Sequence, residues 1–455
     1  MTAQTNREAF IPYRRSDLIE LCIDDGQLPN DDVQKFRDFC EILTAYYHVK
    51  SQRTLEVLKD SFAPFNPDAD TRTRVAPTAQ QSAALEQRLV QAFATVLQRA
   101  NYSALSPEDL QGAFAGESLI PLKTRIDFDD YAHMVFYYRG DNFKTVQVKR
   151  WFRQQEVVVD NFERVALLLR FKDADYFAAK KQQVADLNFT PGKMYLYLYK
   201  NVPRYDLELL FPNVQVSMNW LDRLLVLGPA IGAAVPLLLR VLPSLLLIIG
   251  VILLVIFGAE FPGRLGLEID DAAAQNIFPV LIATMSIGMA LGGFAAKQYS
   301  TYKNKRLKFL KRITDTLFFK NLVTNQGVLY TLVDAAEEEE CKEIILVYYH
   351  LLVAGQPLTR DRLDRQIEQW MEQTWDTRID FDIDKTLANL TALRVSAAGA
   401  DDVAALVQVD AAGAYQARSL DTARVVIDYV WDNIFQYAAT GVAEFAPALM
   451  ERTES

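Results

Sequence analysis

Carboxylates that could act as a general acid and base, or hold a cation, occur in two places: the pair Asp129-Asp130 and the glutamate run at 337–340. Either use needs histidine, cysteine or further oxygen donors converging on one point. No such partner stands at a useful spacing, so both sets are expected to be solvated, charged faces. The three cysteines, Cys22, Cys40 and Cys341, are widely separated, which argues against a disulfide framework or a zinc ribbon and fits a reducing compartment. The three histidines, His48, His133 and His350, are equally dispersed and are expected to be packed or surface residues.

Phosphate chemistry has no better support. Thr190-Pro191-Gly192-Lys193 looks like the end of a phosphate loop, but the upstream glycine is missing and a strand follows, so it reads as a turn. HExxH, GxSxG, paired CxxC and a GxGxxG after a strand are absent as well. The sequence offers no catalytic residue, no cofactor and no metal ligands, and it favours a non-enzymatic role. An enzyme with an unrecognised site stays open.

Small residues could bring helices together. Gly288 and Gly292 form a GxxxG within an apolar run, and Gly228 and Gly232 repeat the spacing. Small residues four apart let helix backbones approach closely. Packing inside one chain is favoured, with a homodimer as the alternative.

The elements that would hold these residues begin with two uncharged apolar runs, 241–257 and 277–296. A helix of about 20 apolar residues crosses a hydrocarbon core, which predicts a two-helix transmembrane hairpin with spans at about 240–257 and 277–296. Residues 224–257 as one straight helix would be roughly 50 Å long, too long for one span. Pro229, Pro236 and Pro243 therefore predict an elbow at 224–239, with Arg240 reaching lipid headgroups.

Residues 297–312 hold seven basic side chains and no acidic one. By the positive-inside rule they stay in the cytoplasm, and the N-terminus has no apolar signal core, so both termini are expected there. Lys303, Lys305, Arg306 and Lys308 are expected to meet anionic lipid headgroups. A bacterial inner membrane is the expected home.

Before the membrane region, 1–220 reads as a cytoplasmic α+β domain. Helical spacing marks 31–60 and 78–100, and β-branched or aromatic runs mark strands at 134–138, 145–152, 156–160, 165–171, 194–200 and 214–218. They predict a mixed or antiparallel sheet. Arg139-Gly140-Asp141-Asn142 reads as a hairpin turn between two of the strands.

After the membrane region at 221–296, residues 297–340 read as a basic juxtamembrane stub and helical connector, with a helix at 313–336. Residues 341–437 read as a mainly helical, winged-helix-like module, with helices at 341–354, 360–375, 385–393 and 419–437 and a wing at 403–409 and 414–418. Residues 438–455 are a tail. The formal charge of -10 argues against a nucleic-acid partner, and the presumed recognition helix carries Lys385 against two aspartates, so the module is expected to touch protein.

Several stretches taken together resemble one family. FIPYRRSDL (10–18), ANYSALSPEDL (100–110), VFYYRGD (135–141), FERVALLLRFK (162–172), LYKNVPRYDLELLFP (198–212), YKNKRLKFLKRITDTLFFKNL (302–322) and EEEECKEIILVYYHLL (337–352) are similar to domain of unknown function family 3754, whose animal members are named transmembrane protein 143. The resemblance implies a two-span membrane protein with a sizeable body and supplies no catalytic residue. The expected function is a non-enzymatic, membrane-anchored scaffold or regulatory protein that presents cytoplasmic domains to an unidentified protein partner. The alternative is a lipid-binding or lipid-sensing protein that uses the elbow and the basic stub.

Overall fold

The structure, a computed structural model, describes residues 10–68, 74–105, 122–150, 153–218, 319–380, 382–395 and 405–435, with scattered helical positions between 282 and 314. The chain enters through α1 (Arg15–Asp24) and α2 (Asn30–Phe62). No proline or glycine interrupts α2, and its first half buries Phe36, Phe39, Cys40, Leu43, Tyr46 and Tyr47. Helix α3 (Ala79–Arg99) opens on a reciprocal cap: Gln81 N–H donates to the Thr78 hydroxyl at 3.3 Å, and Thr78 N–H donates to the Gln81 side chain at 2.9 Å.

Strands β1 (Ser103–Ala104), β3 (Tyr131–Arg150), β4 (Arg153–Phe171), β5 (Met194–Pro203) and β7 (Asn321–Thr324) form a five-stranded sheet in the order β1-β3-β4-β5-β7. Every pairing is antiparallel. Strands β2 (Leu122–Arg125) and β6 (Gln215–Met218) pair separately, and α4 (Ala174–Ala179) lies between β4 and β5 in the chain. One face of the sheet supplies Ala166, Leu168, Met194, Leu196 and Leu198 to a core shared with Leu89, Phe93 and Leu97 of α3. Each fully buried leucine or phenylalanine there contributes about 2 kcal/mol.

Helix α5 (Gln326–Ala354) completes that core with Val328, Leu329 and Leu332, and Gly355 ends it at φ +63°. Then come α6 (Arg360–Trp375), α7 (Ile383–Ala392), the hairpin β8 (Val407–Val409) and β9 (Tyr415–Ala417), and α8 (Leu420–Asp432). Isolated bridges join Leu358 to Tyr415 and Arg394 to Ala405. A second core gathers α1, α2, the later half of α5, and α6, α7 and α8.

Three sequence expectations need correction here. Residues 139–142 are not a turn: Arg139 pairs with Arg164 and Asp141 with Phe162, so β3 runs through them. Gly140 is needed because its φ is +68° and a Cβ there would stand 2.7 Å from the Glu163 Cβ. Residues 321–324 are a strand and not part of a helix, since they pair with Tyr197–Tyr199 of β5. The glutamates at 337–340 do not separate two helices. They lie inside α5, which also carries the expected module boundary at 340 within it.

The two-span membrane protein is corrected as well. Among the described residues no helix is long and apolar enough to cross a membrane. The elbow at 224–239 and the first span lie outside the described residues, and of 277–296 only scattered helical positions are described. An apolar run is a necessary condition for a span; a continuous apolar helix of about 20 residues is the other. The membrane class, the two spans and the placement of both termini on the cytoplasmic side of a bacterial inner membrane are accordingly withdrawn.

The chain divides into two compact units. One comprises Met1–Gly116, Asp127–Leu207 and Lys320–Ser455; the other comprises Glu117–Ile126 and Glu208–Phe319.

Candidate functional site

Helix α5 is packed from several directions, by α1, α2, α3 and α7. Charged side chains on such a helix cannot all reach water, and a buried charge is costly unless it is paired and hydrogen-bonded. Glu339, Glu340, Lys342 and Glu343 are each under 5% exposed. The expectation of a solvated face at 337–340 is thereby overturned for its inner members.

Each acid of the run ties α5 to a different piece of the chain. Glu337 meets His48 Nδ1 of α2 at 3.2 Å. Glu338 accepts the Arg15 N–H of α1 at 2.8 Å, with the Arg15 guanidinium 3.5 Å away. Glu339 accepts from the Ile11 N–H at 3.1 Å and from Lys342 Nζ at 2.6 Å, and Lys342 also donates to the Ile11 carbonyl at 2.6 Å. Glu340 accepts from the Arg99 guanidinium at the end of α3. Glu343 accepts from Asn101 Nδ2 at 2.8 Å and from the Thr386 hydroxyl of α7 at 3.1 Å.

The electrostatics split the run. Burial alone would raise the Glu340 carboxyl, but Arg99 and Lys50 outweigh it and hold the group below its ordinary value. For Glu343 burial outweighs the opposing charge of Lys385 and the hydrogen bond from Asn101, and pushes the carboxyl up to about 7. Burial also lowers Lys50, with Glu340 opposing. Glu340 thus acts as a fixed anion, whereas Glu343 titrates near neutrality.

The remaining candidates fall elsewhere. Asp130 is buried and takes Lys180 Nζ at 2.7 Å, a hydrogen bond shared with Asp127 at 2.9 Å. His133 stands 3.5 Å from Glu86, which also holds Arg170. His350 is buried, neither ring nitrogen has a hydrogen-bond partner among the described residues, and the ring stands edge-on to Tyr349 and Trp370 with centroids 5.2 and 5.0 Å away. Asp25 beside it accepts from the Tyr349 hydroxyl at 2.5 Å and from Trp370 Nε1 at 2.8 Å.

The cysteines, dispersed in sequence, are free and share one core. Burial raises all three thiols, Cys341 up to about 12, so none is a reactive thiolate. Among the described residues no three His, Cys, Asp or Glu side chains are grouped to hold a metal. Gly192 of the 190–193 stretch has φ +73°, and Lys193 Nζ donates to the Pro64 carbonyl at 3.0 Å.

The helix-packing and headgroup candidates are only partly placed. Gly292 and Lys303 are helical and exposed, and a Cβ added at Gly292 meets no atom within 4 Å. Gly288, Arg240, Lys305, Arg306 and Lys308 lie outside the described residues.

Sequence reasoning missed Arg99, Asn101, Thr386 and Ile11 as members of the charged cluster. A usable signal was the continuation of EEEECKE into IILVYYHLL: acids running without a break into an apolar helix have to be partnered by neighbours.

These features define a mixed α+β protein with an antiparallel sheet, organised around a central helix whose acids are internal ties. Residues 162–327 match the family described as Protein of unknown function (DUF3754), in agreement with the resemblance read from the sequence. A link to transmembrane protein 143 is not shown. The matched segment runs from the middle of β4 to the first turn of α5 and stops short of the glutamates. No solved structure matches the chain.

Proposed function

We propose that the protein is a non-enzymatic scaffold or regulatory protein that presents docking elements to protein partners. The observation that supports this reading is the ribbon formed by the outer parts of β3 and β4. The two strands stay paired from Phe143↔Asp160 to Arg150↔Arg153. The third strands stop earlier: β5 pairs with β4 only over Asn161–Arg170, and β1 meets β3 only at Tyr137 and Tyr138.

Eight residue pairs at about 3.3 Å per residue make a ribbon roughly 26 Å long. Among the described residues no further strand pairs with it. A two-stranded ribbon is marginal in water, and its open edges are templates for another strand. Strand addition by a partner satisfies those edges.

Replacing 143–160 by an Asn-Gly turn tests the reading. A photo-crosslinker at Val146 is expected to capture one stoichiometric protein in cells, a crosslinker at the exposed Gln91 of α3 is expected not to, and the shortened chain should no longer recover that protein while keeping its melting temperature. Recovery of the same protein by the shortened chain, or equal capture at both positions, would overturn it.

A further inference from the structure

A cavity of about 520 Å³ opens between α1 and α2 beside the outer end of the glutamate run. That volume is within the range of small-molecule sites. Its wall carries Arg14, Arg15 and Arg37 against Glu20, Glu41 and Glu338, so its formal charges cancel. Most are already engaged. Arg37 Nη2 holds Glu20 at 2.7 Å, Arg14 holds Asp17 at 2.7 and 2.9 Å, and Glu338 takes the Arg15 N–H.

Two opposite charges are left with capacity. The Arg15 guanidinium stands 3.5 Å from Glu338 and otherwise lies beside the Cys341 thiol, a weak acceptor. Glu41 lies one turn after Arg37 on α2, yet Arg37 points to Glu20, and among the described residues no cation pairs with Glu41. Ser16, Ile19, Cys40 and Thr44 complete the lining, which is more apolar than polar.

We infer that this cavity binds a small zwitterion of the α-amino-acid class, its carboxylate on Arg15 and its ammonium on Glu41, with an apolar side chain toward Ile19. A simple anion would meet three glutamates and a simple cation three arginines. Only a ligand carrying both charges is attracted at each end without a net penalty. A guanidinium also matches a carboxylate in two-pronged geometry, which an alcohol or amide cannot exploit.

Thermal shift and calorimetric titration of the full chain test the inference, using the panel of natural amino acids together with N-acetyl-leucine and leucinamide. An apolar amino acid is expected to raise the melting temperature and to bind at least about tenfold more tightly than either singly charged derivative, the effect of losing one charge-assisted contact. Arg15→Gln and Glu41→Gln should each weaken binding about tenfold, whereas Arg378→Gln, which pairs with Glu372 outside the cavity, should leave it within about twofold. If Arg15→Gln fails to fold, Glu41→Gln decides. No binding by any amino acid at about 10 mM, a level at which even weak sites are occupied, overturns the inference. Equal binding of leucine and N-acetyl-leucine, or an unaffected Glu41→Gln, does so too.

Discussion

His350 and Glu343 lie two helical turns apart on α5 and titrate in opposite senses. Burial holds the His350 imidazole at about 4, below its ordinary 6.5, with Asp25 opposing. The unfolded chain therefore binds the extra proton more readily, and stability present above pH 6.5 is lost as pH falls toward 4. Glu343 is raised from 4.5 to about 7, so its contribution is complete below pH 4.5 and is lost as pH rises toward 7. Each shift corresponds to roughly 3 kcal/mol, and the two oppose each other across most of the same window. His350→Phe should therefore leave a protein that loses stability, relative to the parent, as pH rises from 4.5 to 7, and Glu343→Gln one that gains it. Urea denaturation across that range checks both. Parallel curves for parent and variants would show that neither group titrates as its surroundings dictate.

At the scale of elements, the Glu340–Arg99 pair joins the middle of α5 to the end of α3, with both side chains largely out of water. Removing one partner strands the other, whereas replacing both with apolar groups does not. Glu340→Gln should cost about 3–5 kcal/mol, and Arg99→Met combined with Glu340→Leu should recover most of that loss. A double-mutant cycle in urea measures it. A double variant no better than the single one would mean that Lys50, Lys385 and the surrounding hydrogen bonds depend on the pair as a unit. The long strands work at this scale too. Gly140 lets β3 continue at positive φ past Glu163, so the sheet and the outer ribbon share two uninterrupted strands.

In the molecule as a whole, the larger compact unit is assembled from three stretches of chain, and the smaller one from the two intervening stretches. Within the larger unit, β5 and β7 are paired neighbours although 117 residues separate Pro203 from Asn321 by number, a gap of 118 positions. The chain thus leaves and re-enters that unit at adjacent strands. Joining Leu207 to Lys320 through a short Gly-Ser linker should leave a protein with one cooperative melting transition and a native near-ultraviolet spectrum. A broad, non-cooperative transition would show that the larger unit does not hold its core alone.

Periodicity and capping were legible because they act within a few residues. The helix read at 78–100 is α3, that read at 360–375 is α6, and the apolar pattern at 165–171 and 194–200 lies in β4 and β5. The family match over residues 162–327 was legible as well. Continuity of β3 through Gly140 was not, because a glycine at positive φ serves a turn and a strand alike until its cross-strand partners are known. Nor was the burial of Glu339, Glu340 and Glu343. Local sequence determined that α5 is a helix and that its acids stand on it. Whether those acids face water was decided by Ile11, Arg99 and Thr386, which approach from other parts of the chain. Burial of charge is a property of what packs around a residue, and only the tertiary structure supplies those neighbours.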